Sequence, residues 1–353
     1  MKNFYLAFII TIVGLSLAFI YGLYEGPGIS LNLAFEALFI ATVLAVLEIS
    51  LSFDNAVVNA SVLKGMDPVW QRRFLTWGIL VAVFGMRLLF PILIVSISAR
   101  VGVVEVVNMA LNKPDDYAHY LEAAHIQIAA FGGMFLLLVF LTFMLDEGKD
   151  IHWIHNLEIW LSRMGHLESA EMIIALVVLL FAQSFVPEAH RIEVFVAGIF
   201  GTILYVLVHS ISDLFAPSDE AEHDSGSGDV VNMVTRAGFM SFIYLELLDA
   251  SFSFDGVIGA FAITKEVVII TLGLMIGAIY VRSLTIYLVR KGTLDEYIFL
   301  EHGAHYAIGA LAVIMLVSMV HHVPEVITGL IGIGFILLAF ISSWRFKQRQ
   351  SQK

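Results

Sequence analysis

Cysteine is absent from the 353-residue chain, so disulfides, thiolate metal sites and cysteine nucleophiles are excluded, and any bound metal must use oxygen or imidazole ligands. Charge is scarce too: 14% of residues are Asp, Glu, Lys or Arg, against about 25% in ordinary soluble domains. Basic residues are the rarer sign, 19 against 31 acids, and they form no Lys/Arg stripe with interleaved aromatics, so there is no nucleic-acid signature. What fills the chain is apolar, 59% hydrophobic with mean hydropathy +0.89. Its partner by composition is the lipid bilayer.

Apolar runs of spanning length cover 4–24, 32–63, 74–98, 124–145, 171–187, 192–214, 234–264, 267–289, 304–323 and 325–344. They predict an all-α, polytopic transmembrane bundle of about ten helices. The first run lacks the short apolar core and small-residue cleavage site of a signal peptide, so it is counted as a span. Pro324 marks a boundary between the last two. The stretch 217–229, rich in Asp, Glu, Ser and Gly, reads as an aqueous loop near the middle of the chain.

With ten spans, Lys2, Lys64, Arg72, Arg73, Lys149, Arg163, Arg236, Arg290, Lys291, Arg345, Lys347, Arg349 and Lys353 fall on one side. Only Arg100, Lys113, Arg191 and Lys265 fall on the other. The positive-inside rule then places both termini in the cytoplasm.

The chain also echoes itself. Glu48-Ile-Ser-Leu-Ser-Phe-Asp54-Asn55 in the second run matches Asp249-Ala-Ser-Phe-Ser-Phe-Asp255-Gly256 in the seventh. Arg87 is answered by Arg282, and the Glu122/His125 segment by the Glu301/His305 segment. Five spans followed by five reverses the second copy, giving an inverted repeat of residues 1–190 and 191–353.

Ionisable groups in mid-membrane cost about 2.5–3.5 kcal/mol each on insertion scales, so they face a cavity or a partner. Glu48, Asp54, Asn55, Glu246, Asp249 and Asp255 form such a set, flanked by Ser52 and Ser253, with Arg87 and Arg282 as structural or gating partners. In a straight helix Glu48 and Asp54 stand about 120° and about 9 Å apart. A break in each signature helix is therefore expected, to bring the acids together and free backbone carbonyls as ligands. Such oxygens form a hard set that suits manganese, magnesium or calcium. Carboxylates crowded together need either a divalent cation or protons, which makes metal/proton exchange the natural mechanism. Glu122 with His125, and Glu301 with His305, make a candidate second site, although locally bonded histidines account for them equally well. His152 and His155 read as solvated surface.

The two signatures resemble those of the TerC family of bacterial membrane proteins, in which a Glu is followed six residues later by Asp-Asn. The chain looks closest to an uncharacterised, DUF475-like branch. The resemblance implies manganese efflux with the signature acids as ligands, Mn2+ being substrate rather than cofactor, and a link to tellurium resistance. Gly256 stands where that family usually has Ser. Two other functions fit the residues: an intramembrane enzyme using paired aspartates as acid and base, and an accessory protein handing metal to secreted enzymes. Inverted duplication without a soluble catalytic domain favours a transporter over an enzyme.

Overall fold

The computed structural model describes residues 4–25, 28–167, 169–214, 227–321 and 323–351. Within these, the side chains of residues 75, 98, 211–214, 227–237, 254, 255, 325 and 351 are left out of the description. Most of the loop expected at 217–229 therefore lies outside the described residues.

The described chain is helical and contains no strand: α1 (Tyr5–Tyr24), α2 (Leu31–Leu51), α3 (Phe53–Lys64), α4 (Pro68–Leu80), a π-helical segment (Val81–Leu89) and α5 (Phe90–Ala99). There follow α6 (Val103–Asn112), α7 (Pro114–Leu145), α8 (His155–Ser162), α9 (Ala170–Phe185) and α10 (Arg191–Leu214). After them come α11 (Ser227–Ile263), α12 (Val267–Lys291), α13 (Thr293–Glu296), α14 (Leu300–Ser318) and α15 (Glu325–Ser351). Local chemistry sets several ends. The Ser30 hydroxyl caps α2 at Leu33 N, Asp67 caps α4 at Val69 N ahead of Pro68, and Gly292 ends α12 at φ 63°.

Eight described helices are long and apolar enough to cross a membrane, or nine if α8 and α9, bent by 103°, count as one span. The 37-residue α11 is not among them, because Glu246, Asp249 and Asp255 interrupt its apolar stretch. At 1.5 Å per residue it is about 55 Å long, and including it brings the count to nine, or to ten if the bent pair is also a span. Ion pairs tie helix ends together. Lys64 meets Asp295 and Lys347 meets Glu296 at one end of the bundle, while Lys265 meets Asp115 at the other.

The two halves are interleaved rather than side by side. α2 of the first packs against α12 of the second, and α11 packs against the π-segment. Their directions can be read from contacts. Asn55 touches Asp249 while a β-carbon on Gly256 would lie 3.1 Å from Glu48 Oε2, so the two signature segments cross antiparallel. The corresponding helices α7 and α14 also run antiparallel, with Gly132 against Met315, Phe140 against Gly309 and Phe143 stacked on His305. Glycines permit these close approaches: a β-carbon at Gly277 would strike the Glu48 side chain.

The predicted breaks are realised once. Ser52 (φ −99°, ψ 21°) separates α2 from α3, whereas α11 continues unbroken through Gly256. Even at Ser52 the ladder persists through Ser52 N→Glu48 O (3.0 Å) and Ala56 N→Ser52 O (3.2 Å), so the break is a one-residue kink.

Candidate functional site

Glu48 lies on the last turn of α2 and Asp54 and Asn55 on the first turn of α3, on either side of the kink. Glu246, Asp249 and Ser253 come from α11, Arg87 from the π-segment and Arg282 from α12. The described side chains among these are all buried. Placing Asp54 in the first turn of α3 sets its charge against the positive end of that helix, where its Oδ1 accepts from Asn55 N at 2.9 Å.

Each arginine takes a glutamate of its own half. Arg87 Nη2 donates to Glu48 Oε1, which also accepts from Ser52 Oγ at 3.4 Å. Arg282 Nη2 reaches both oxygens of Glu246, at 3.0 and 2.9 Å. Asp249 stands between the two guanidiniums, its Oδ2 being 4.0 Å from Arg87 Nη1 and 3.5 Å from Arg282 Nη2, and its Oδ1 accepts from Asn55 Nδ2 at 2.9 Å. Arg87 reaches the site from the π-helical segment and also donates from Nη1 to the Ala82 carbonyl, five residues back, at 2.7 Å. Arg282, on a regular helix, uses the Phe74 carbonyl at 3.2 Å and stacks 4.2 Å over the Phe74 ring.

The sequence offset of 201 recurs in the geometry. Asn55 corresponds to Gly256 and Glu48 to Asp249, so the Asn55 to Asp249 hydrogen bond has its counterpart in the approach of Glu48 to Gly256. The longer acid faces glycine and the shorter faces asparagine, a size exchange across a pseudo-twofold.

Asp54 differs from the other three described acids in having no arginine within ion-pair distance. Among the described side chains, four carboxylates share two guanidiniums, so the arginines do not match the acids one for one. Asp54 lines a cavity of about 50 Å³ with Glu48, Ser52, Asn55, Phe252, Gly256, Leu311, Thr328 and Gly329. Such a space holds a cation with at most a few waters. Asn55 Oδ1, Asp249 Oδ2 and Ser253 Oγ are buried without a hydrogen-bond partner, and an unsatisfied buried oxygen costs about 1–3 kcal/mol unless something meets it.

The predicted residues do not all act alike. Glu246 is committed to Arg282, and no three described His, Asp or Glu side chains already stand in a metal-holding arrangement. The side chain of Asp255 lies outside the described ones. The two Glu/His pairs do not converge on one second site. Glu122 and His125 sit near the start of α7 and line a cavity of about 620 Å³. His305 stacks on Phe143 near the end of α7, ring centroids 3.6 Å apart, and turns its Nδ1 to the Glu301 main-chain carbonyl at 2.9 Å. Twenty-one residues of helix, about 31 Å, separate the two places.

Asn59, Gly329, Gly332 and Glu158 escaped the sequence reading. Asn59, one turn beyond Asn55, is 1% exposed with both amide atoms unpaired, and its i+4 spacing was a usable signal. Gly329 and Gly332 let α15 press onto the kink: β-carbons there would strike Leu51 and Asp54. Glu158 is fully buried under α14, accepting from Trp153 N, Ile154 N and Tyr306 Oη and lying 3.3 Å from His302 Nε2, which anchors α8. Lys149 in the adjacent loop lies 4.3 Å above the Phe143 ring, and burial pushes its amine below the ordinary lysine range.

No solved structure matches the chain. An "Uncharacterized membrane protein YceF" of Bacillus subtilis (strain 168) is 31% identical over 110 residues, 31% of this chain and 42% of that protein. The chain thus covers less than half the length of this curated relative. A family model matches residues 53–350, which takes in every site residue named above except Glu48 and Ser52. On that match the chain belongs to the family described as "Protein of unknown function (DUF475)".

Proposed function

We propose that this protein transports a divalent metal cation, manganese foremost, exporting it from the cytoplasm across the bacterial inner membrane in exchange for protons. One observation carries the reading: two antiparallel copies of one signature bring buried carboxylates together beside a cavity of about 50 Å³, where Asp54 has no arginine within ion-pair distance. Two Asp/Glu carboxylates, an unpaired amide oxygen and a hydroxyl are hard donors, which suit Mn2+, Mg2+ or Ca2+ better than copper or zinc. The resemblance of the signatures to TerC proteins favours manganese among these and supports the outward direction.

The role of each residue follows from its contacts. Asp54, Glu48 and Asn55 are the proposed first ligands, Asp249 is the bridge to the second half, and Asp255 is its repeat-related acid. Glu246 and the two arginines hold the frame. A cation entering displaces protons from the carboxylates that held them in its absence, which couples the two fluxes.

Purified protein in liposomes is the test, with manganese uptake compared against magnesium, calcium, zinc and iron and a pH dye enclosed. Manganese flux accompanied by opposite proton movement, lost in Asp54→Ala and Asp255→Ala proteins that still insert, is expected. Wild-type flux in both variants, or binding without flux, rejects transport by this site.

A further inference from the structure

The carboxylate cavity is not isolated. Leu51 and Thr328 line both it and the cavity of about 620 Å³, which is also walled by Leu47, Ile258, Ile314 and Ser318 and carries Glu122 and His125. Toward the opposite end of the bundle lies a separate cavity of about 230 Å³, lined by Leu63, Gln71, Arg72 and Val289, which shares no lining residue with the carboxylate cavity. Beyond the Arg282 to Glu246 ion pair, Leu63, Met66, Trp70, Phe74, Phe242 and Leu245 form one buried apolar cluster, with the Trp70 and Phe242 rings 5.9 Å apart. A cation carries too strong a hydration requirement to cross such a plug.

We propose that the large cavity is the access path to the carboxylates from the membrane face that bears Glu122, with Leu51 and Thr328 forming its constriction and the aromatic cluster closing the other face. That the path carries the metal rests on the transport reading above; that it joins the site to one face only does not. The geometry supports a narrow gate. Gly329 and Gly332 hold α15 directly against Leu51 and Asp54, so a small outward shift of α15 would widen the space between the two cavities. Glu122 supplies negative charge along the path, while Lys265 at the same end is engaged by Asp115. A fixed negative charge in a low-dielectric cleft raises the local cation concentration.

Because the natural chain has no cysteine, single cysteines report directly. Ser318→Cys and Thr328→Cys proteins in liposomes would be treated with a membrane-impermeant cationic thiosulfonate on either side, with Lys113→Cys and Asp150→Cys, in exposed loops at opposite ends of α7, marking the faces. Labelling of both cavity thiols at least tenfold faster from the Lys113 side is expected, with Met66→Cys reacting only after denaturation. Cavity thiols that label equally from both sides, faster from the Asp150 side, or only after denaturation would overturn the proposal. A Met66→Cys thiol that labels readily in the folded protein would do the same for the closed face. Glu122→Gln is expected to raise the half-saturating manganese concentration three- to tenfold at low salt with the maximal rate unchanged, and unchanged saturation would remove Glu122 from the path. If no metal is transported at all, the labelling arms still stand or fall independently.

Discussion

Replacing Arg282 with Met keeps much of the side-chain volume and deletes the charge. In the folded protein this guanidinium serves both Glu246 oxygens at 3.0 and 2.9 Å, lies 3.5 Å from Asp249 Oδ2, and donates to the Phe74 carbonyl at 3.2 Å. Removing one partner of a buried pair costs about 3–5 kcal/mol because the other charge is left uncompensated, whereas neutralising both is close to neutral. At about 2.1 cal/mol/K per residue over 353 residues, that cost lowers the melting midpoint by about 4–7 °C. Thermal unfolding in detergent, followed by loss of the monodisperse species on size exclusion, measures it. R282M should lose this amount, and E246Q/R282M should recover most of it, with a residue of loss because Asp249 still lacks one of its two cations. On the proposed roles, with Glu246 as counter-ion and Asp54 as ligand, the double variant should also still bind manganese. An R282M midpoint within about 1 °C of the parent, or a double variant no better than the single, would show that Glu246 is not held by this arginine and would refute the division of roles.

Further outcomes follow from the same contacts. Asn55→Ala leaves Asp249 Oδ1 without its 2.9 Å donor and should destabilise by about 1–3 kcal/mol in the same unfolding assay, a larger loss than Asn59→Ala, whose amide pairs with nothing. Gly332→Val places side-chain atoms onto the Asp54 carboxylate and should abolish metal flux while the protein still reaches the membrane; Gly334→Val, where a β-carbon meets nothing within 4 Å, should not. Manganese at about a hundred times its dissociation constant should stabilise the parent by about 2.7 kcal/mol, reversed by a chelator and missing in Asp54→Asn. Glu158→Ala strands two main-chain N–H groups, the Tyr306 hydroxyl and His302, and should make the α8 segment the first site of limited proteolysis, with the site acids unaffected.

The sequence by itself determined the membrane class, the helical architecture and the identity of the polar core. Hydrophobic run length and the cost of ionisable groups in lipid act locally, so both can be read along the chain. The repeat of the signature was also legible, as an offset of 201 along the sequence, while the antiparallel crossing of its two copies is a matter of contacts. Tertiary structure decided which partner each described acid has. Whether Glu246 or Asp54 meets an arginine depends on where the π-segment and α12 deliver Arg87 and Arg282, and no spacing within one helix encodes that. It decided that only the first signature kinks, and that Glu122 and His305 lie at opposite ends of α7. It also set the close approach of Gly329 and Gly332 of α15 to Leu51 and Asp54 beside the small cavity, residues distant in sequence and joined only by packing.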